Sequence, residues 1–128
     1  MINDALFGTT EHIVSKALDL HSMRHTLLAT NIANGNTPNY RALDVRFEDA
    51  LRSFIQPQIS LVMTRTDVRH ISASPARWRG VEQCIVEEDG GRIGPDGNSV
   101  DEEREMVKLV ENQMSYQALI HLLTRKLT

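Results

Sequence analysis

Cysteine is nearly absent. The 128-residue chain carries one, Cys84, which excludes an intramolecular disulfide framework and a structural zinc site built on several thiolates. Aromatic residues make up 5%, with one Trp, two Tyr and three Phe, so large buried rings contribute little to any core. Positive charge is in short supply too: 14 Lys and Arg against 17 Asp and Glu leave a formal net charge of -3. That balance argues against nucleic-acid binding, which calls for a basic footprint, and against attachment to anionic lipid through a polybasic patch. No apolar run approaches the ~20 residues needed to span a bilayer. The start, Met1-Ile2-Asn3-Asp4-Ala5-Leu6-Phe7-Gly8, has neither a basic region nor a long apolar stretch and does not read as a cleavable secretory signal.

Glycine and proline are scarce at both ends. Five of the seven Gly and three of the four Pro lie between Pro57 and Gly97, while the stretches up to Ile32 and from Val100 onward hold one Gly and no Pro. The chain therefore reads as helix, irregular middle, helix, a mainly α fold whose terminal helices pair as a coiled-coil-like hairpin. Three parts follow: residues 1–35, an N-terminal helix; 36–98, a turn and a small middle segment with short helix and β elements; and 99–128, a C-terminal helix. The first helix is expected over Thr10 to Ala33, with an earlier turn from Asn3. Ile13, Leu20 and Leu27 recur every seven residues, and Leu28 lies beside them. Asn34-Gly35 can supply a left-handed residue at its end, with Pro38 beyond.

The C-terminal helix is expected to start at Val100, capped by Ser99 with Glu102 in capping-box spacing. Asp101, Glu102 and Glu103 suit the positive end of the helix dipole, and Arg125 and Lys126 the negative end. A heptad row, Met106, Leu109, Gln113, Tyr116, Ile120, Leu123 and Leu127, suits a coiled-coil seam. Near the end, Ala118, Leu119, Ile120, Leu122 and Leu123 surround the helix axis. A helix apolar on all sides must be buried on all sides, and one partner helix covers only one side. Other subunits are the economical cover, with Leu119 and Leu122 expected to face them; a folded-back middle segment is the alternative. In that middle, Asp44 to Ile55 reads as a short helix or a strand leading into one. Ile59 to Met63 and Val81 to Val86 read as β-like, and Glu87 to Ile93 as a hairpin turn.

Catalytic and metal constellations are hard to assemble. His21 and His25 stand at i, i+4, but Ser22, Met23 and Arg24 lie between them with no glutamate, so two helix-surface histidines are the better reading. His121, in an apolar stretch, reads as a packed or interface histidine. Cys84 has no base or orienting group suggested nearby and reads as a small buried apolar residue. Glu105 reads as part of a solvated face, and Lys108 as a solvated position. The Gly90–Gly97 stretch lacks the Lys-Ser/Thr of a phosphate loop and reads as turns. No catalytic, metal or cofactor site is expected.

More specific is Leu27-Leu28-Ala29-Thr30-Asn31-Ile32-Ala33-Asn34-Gly35-Asn36-Thr37-Pro38-Asn39-Tyr40. It resembles the N-terminal signature of the bacterial flagellar rod and hook family, written A-N-x-x-T-P-G-Y; Asn31, Ala33, Asn34, Thr37, Pro38 and Tyr40 carry the likeness. The tail, Asp96-Gly97-Asn98-Ser99-Val100-Asp101 with Glu105-Met106 and Tyr116-Gln117-Ala118-Leu119, is similar to that of the proximal rod members. Asn39 departs from the family glycine; if that position needs positive φ, Asn is the residue that best tolerates it.

The resemblance implies a structural, non-enzymatic subunit without cofactors, assembling through its terminal helices into a tubular drive shaft across the periplasm. It implies export by the flagellar type III system without signal cleavage, for which Phe47 and Leu51 match a Phe-x-x-x-hydrophobic recognition pattern. The implied partners are other copies of itself, a FliE-type basal-body adaptor, rod proteins of the FlgC and FlgF types, and the export gate. A FlgC-like sister subunit and a soluble helical adaptor or export chaperone are the alternative readings.

Overall fold

A computed structural model describes residues 2–55, 82–88 and 92–128, with side chains from residue 8 onward except that of Glu82. Two long helices dominate: α1, Ile2–Ala33, and α3, Glu102–Leu127. At ~1.5 Å per residue they extend for about 48 and 39 Å. They pack antiparallel, so that Asn31 near the end of α1 meets Glu105 near the start of α3, and His21 meets Asn112 one heptad further on. The mainly α fold with a paired terminal hairpin is thus present. α1 starts earlier than Thr10; Gly8 lowers helix propensity by ~1 kcal/mol relative to alanine without breaking the hydrogen-bond ladder.

The seam on α3 is not the expected heptad row. Its inward positions are Glu105, Leu109, Asn112, Tyr116, Leu119 and Leu123, all buried or half-buried at spacings of four and three. Leu109, Tyr116 and Leu123 thus lie where the row put them. Met106, Gln113, Ile120 and Leu127 are exposed, and Leu119 turns inward instead of outward. The cause is chemical: two of the inward positions are polar, so a search for apolar periodicity slid to the neighbouring stripe. The cap differs as well. Asp101 caps α3 by accepting from the Arg104 amide at 3.3 Å, whereas the Ser99 Oγ accepts the Ala42 amide at 2.9 Å.

Between the helices lie β1, Leu43–Val45, α2, Phe47–Ile55, and β2, Ile85–Glu87, the last preceded by a 3-10 turn at Glu82–Cys84. Of the two readings of Asp44 to Ile55, a short helix or a strand leading into one, the second is present. β1 and β2 pair antiparallel with Leu43 opposite Glu87 and Val45 opposite Ile85, so β2 joins a strand 40 residues upstream and not a local hairpin across Glu87 to Ile93. The β-like stretch Ile59 to Met63 lies outside the described residues. The apolar core sits where α1 crosses these pieces. Leu20, Val45, Ala50 and Cys84 are buried there, with Met23, Leu27, Phe47, Leu51, Phe54 and Ile85 packed around them.

Candidate functional site

The signature segment begins where α1 ends. Three carbonyls, of Asn34, Gly35 and Thr37, accept from the buried Asn98 Nδ2 at 2.9, 3.1 and 2.7 Å. One side-chain amide thus satisfies groups that a helix terminus and the turn after it leave without intrahelical partners. Because Asn98 does this, the left-handed residue expected at Asn34-Gly35 is not needed, and the helix closes through tighter bonds such as Gly35 N–H to Ile32 O at 3.1 Å. Positive φ appears instead at Asn39, 60°, and Gly97, 80°, the two such positions among the described residues. The Asn39 amide donates to the Asp96 carbonyl at 3.0 Å, and the Ser99 amide donates to the Tyr40 carbonyl at 3.0 Å. The signature loop and the segment leading into α3 are therefore stitched together backbone to backbone.

Asn31, fully buried, is the centre of this joint. Its Nδ2 donates to the Leu43 carbonyl at 2.7 Å and to Glu105 Oε2 at 2.9 Å. Its Oδ1 accepts the Leu43 amide at 3.0 Å and the Tyr40 hydroxyl at 3.1 Å. Both donors and both acceptor sites of the amide are used. The side chain treats Leu43 as a neighbouring strand would, and so attaches β1 to α1 while holding α3 through Glu105.

Below it lies an ion cluster joining four segments. Arg24 of α1 grips Asp44 of β1 with two bonds, at 2.9 and 3.1 Å. Lys108 of α3 meets Glu88, Asp44 at 3.4 Å and Glu105 at 3.6 Å, and Arg104 reaches Glu88 at 3.4 Å. Lys108 is therefore the common cation of three carboxylates and not a solvated position; its side chain is 15% exposed. Glu105, at 1% exposed, is not a solvated-face residue either. Burial, reinforced by a hydrogen bond with Glu88, pushes the Glu105 carboxyl up against the pull of Asn31 and Lys108. Burial also opposes charge on Glu88, but the bond from Glu105 and the nearby Lys108 bring its carboxyl down. Burial likewise opposes charge on Asp44, and Arg24, the Val45 amide and Lys108 outweigh it and lower the carboxyl.

The other sequence-derived positions fall in three places. Thr37 donates through Oγ to Asn34 Oδ1 at 3.1 Å, while Ala33 and Pro38 are exposed at the turn. Phe47 and Leu51 pack on the core, the Phe47 ring lying 4.4 Å from the His21 ring. Leu20 and Leu28 are buried; Ile13 and Leu27 are half-buried. Leu122 is 60% exposed. His21 is not on the surface: its Nδ1 lies 2.7 Å from Asn112 Oδ1, and Asn112 Nδ2 donates back to the His21 carbonyl at 2.8 Å. His25 and His121 are exposed, and among the described residues no three His, Cys, Asp or Glu side chains converge on a metal position.

The arrangement is a fastening between helices and strands, and comparison with known proteins gives its context. The chain is 33% identical over 122 residues to the flagellar basal body rod protein FlgB of Bacillus subtilis, covering 95% of this chain and 90% of that one. It is 34% identical over 113 residues to FlgB of Escherichia coli, covering 85% and 80%. The chain belongs to the FlgB family of flagellar basal body rod proteins. Similarity to the Aeromonas hydrophila FlgB, 29% over 126 residues, spans 98% of this chain. No family model matches. In this chain the departure at Asn39 is accommodated as the residue type allows, with φ in the left-handed region. Sequence reasoning placed Asn98 and Glu105 in the tail motif without giving them a structural role, and missed Lys108 and Asn112, the other polar residues that lock the joint. Polar residues recurring with seam spacing at 105 and 112 were the available signal.

Proposed function

We propose that this structural subunit of the flagellar rod belongs to its proximal part and assembles there through its terminal helices into the tube that crosses the periplasm. The observation that carries this reading is the apolar surface left on α3. Met106, Val107, Val110, Met114, Ile120, Leu122 and Leu127 are all more than a third exposed. Large exposed apolar side chains on a soluble chain mark interaction surfaces, and a helix surrounded by neighbours in a tube carries them on more than one side. The proposed neighbours are other copies of this chain, a FliE-type adaptor and rod subunits of the FlgC and FlgF types.

Export through the flagellar type III gate, without signal cleavage, belongs to the same reading. Phe47 and Leu51 pack on the core of the folded chain, so a gate that reads this pair meets it before folding. The test is complementation of a bacterium lacking its own FlgB. The chain should restore swimming and be recovered in isolated basal bodies, and Ile120→Asp should be exported but left out of them. A chain absent from basal bodies would refute the proposal, and normal swimming with Ile120→Asp would remove the argument from exposed apolar surface.

A further inference from the structure

The two ends of the hairpin differ. At the signature end, hydrogen bonds and ion pairs close the space between α1 and α3. At the far end the helices border an open cleft of about 530 Å³ lined by Thr10, Glu11 and Val14 of α1 and Leu122, Leu123, Arg125 and Lys126 of α3. Among the described residues its lining is apolar at Val14, Leu122 and Leu123 and carries Arg125 and Lys126 against Glu11.

α3 also carries the converse shape. Val107, Val110 and Met114 lie on the side of the helix opposite the seam and form an exposed ridge; Met114 is 65% exposed. Glu103 and Glu111 flank the ridge and are exposed. An apolar ridge flanked by two acids thus sits in the first half of the helix, and at its C-terminal end a cleft whose described lining holds two bases and one acid.

We propose that the ridge of one copy seats in the cleft of a second copy, with Glu111 of the first facing Arg125 of the second. A helix laying an apolar face into a hydrophobic groove is a recurring recognition mode. Because ridge and cleft are different surfaces in opposite halves of α3, the contact is head-to-tail. Each copy that receives a ridge still presents its own, so the contact continues into a ring or a helical filament and does not stop at a dimer. This rests on the rod reading above and specifies which surfaces of the subunit meet.

Met114 and Leu122 are eight residues apart on one helix, about 12 Å, beyond the ~7 Å that a disulfide spans. Met114→Cys and Leu122→Cys cannot therefore bond within one chain. The single-cysteine variants are expressed separately and together in a bacterium lacking its own FlgB, with the unsubstituted chain, which retains buried Cys84, as background. Basal bodies are then isolated, oxidised and run without reductant. The expected result is a covalent dimer when both variants are present, none with either alone, and a ladder of oligomers when both cysteines lie on one chain. A dimer from one variant alone would mean a two-fold contact and overturn the proposal. Basal bodies containing both variants without a dimer would overturn it while leaving the rod reading intact. If even the unsubstituted chain is absent from basal bodies, both fail together.

Should a cysteine variant stay out of the basal body, charge reversal decides. Glu111→Arg and Arg125→Glu should each reduce swimming and restore it when combined. Absence of restoration overturns the contact.

Discussion

Replacing Asn31 with alanine removes four hydrogen bonds from one fully buried side chain, those to Leu43 N–H, Leu43 C=O, Glu105 and Tyr40. A buried group that loses its partner costs ~1–3 kcal/mol, more when charged. Leu43 and Tyr40 are half-buried, so water can meet part of their demand, but Glu105 is sealed. The expected loss is ~3–5 kcal/mol, a large part of the 5–15 kcal/mol typical of a domain. With a urea slope of ~1.5 kcal/mol per molar, the unfolding midpoint should drop by roughly 2–3 M. Far-UV circular dichroism against urea measures it. Asn31→Asp is the sharper variant. It keeps the acceptor for Leu43 N–H and Tyr40 but sets a carboxylate against the Leu43 carbonyl and Glu105, both acceptors. At neutral pH it should be at least as damaging as alanine, and it should recover as acid protonates the introduced carboxylate. A loss under ~1 kcal/mol for alanine, or wild-type stability for Asn31→Asp at neutral pH, would refute the view that this amide holds β1 and α3 together.

Gly97→Ala should cost ~1–3 kcal/mol, because φ there is 80° and an added Cβ would overlap Asn39 Oδ1. Asn39→Gly should recover part of that loss, and a double-mutant cycle in urea that shows no coupling would refute the contact. Glu105→Gln tests the carboxyl pair: Glu105 holds its proton more tightly in the folded chain, so its contribution is complete below the ordinary value of ~4.3 and is lost as pH rises through its higher folded value. Glutamine removes that loss, so stability should fall less from about pH 4 to 7 in the variant than in the wild type; parallel curves would show that Glu105 carries no such shift.

Much of the architecture was written in local pattern. Long stretches free of Gly and Pro required helices at both ends, and the stop after Ala33 and the acidic start of α3 could be read directly because termini are set by a few adjacent residues. The helix within Asp44 to Ile55 was legible for the same reason, while the strand before it stood as one of two readings. The flagellar signature was visible as a string, including an asparagine at the position that takes positive φ. Tertiary structure decided what local pattern could not hold. Glu105 and Asn112 look like surface residues by type, and only the approach of Asn31 and His21, distant in sequence, makes them interior. Lys108 became a shared cation because β1, the segment after β2 and α3 bring Asp44, Glu88 and Glu105 around it. Asn98 replaced the expected glycine-type helix stop because a residue more than 60 positions away supplied the missing donor. A polar side chain's burial depends on partners delivered by the fold, whereas an apolar side chain's preference for burial is intrinsic. The apolar periodicity of α3 therefore announced a helix but misplaced its seam by one stripe.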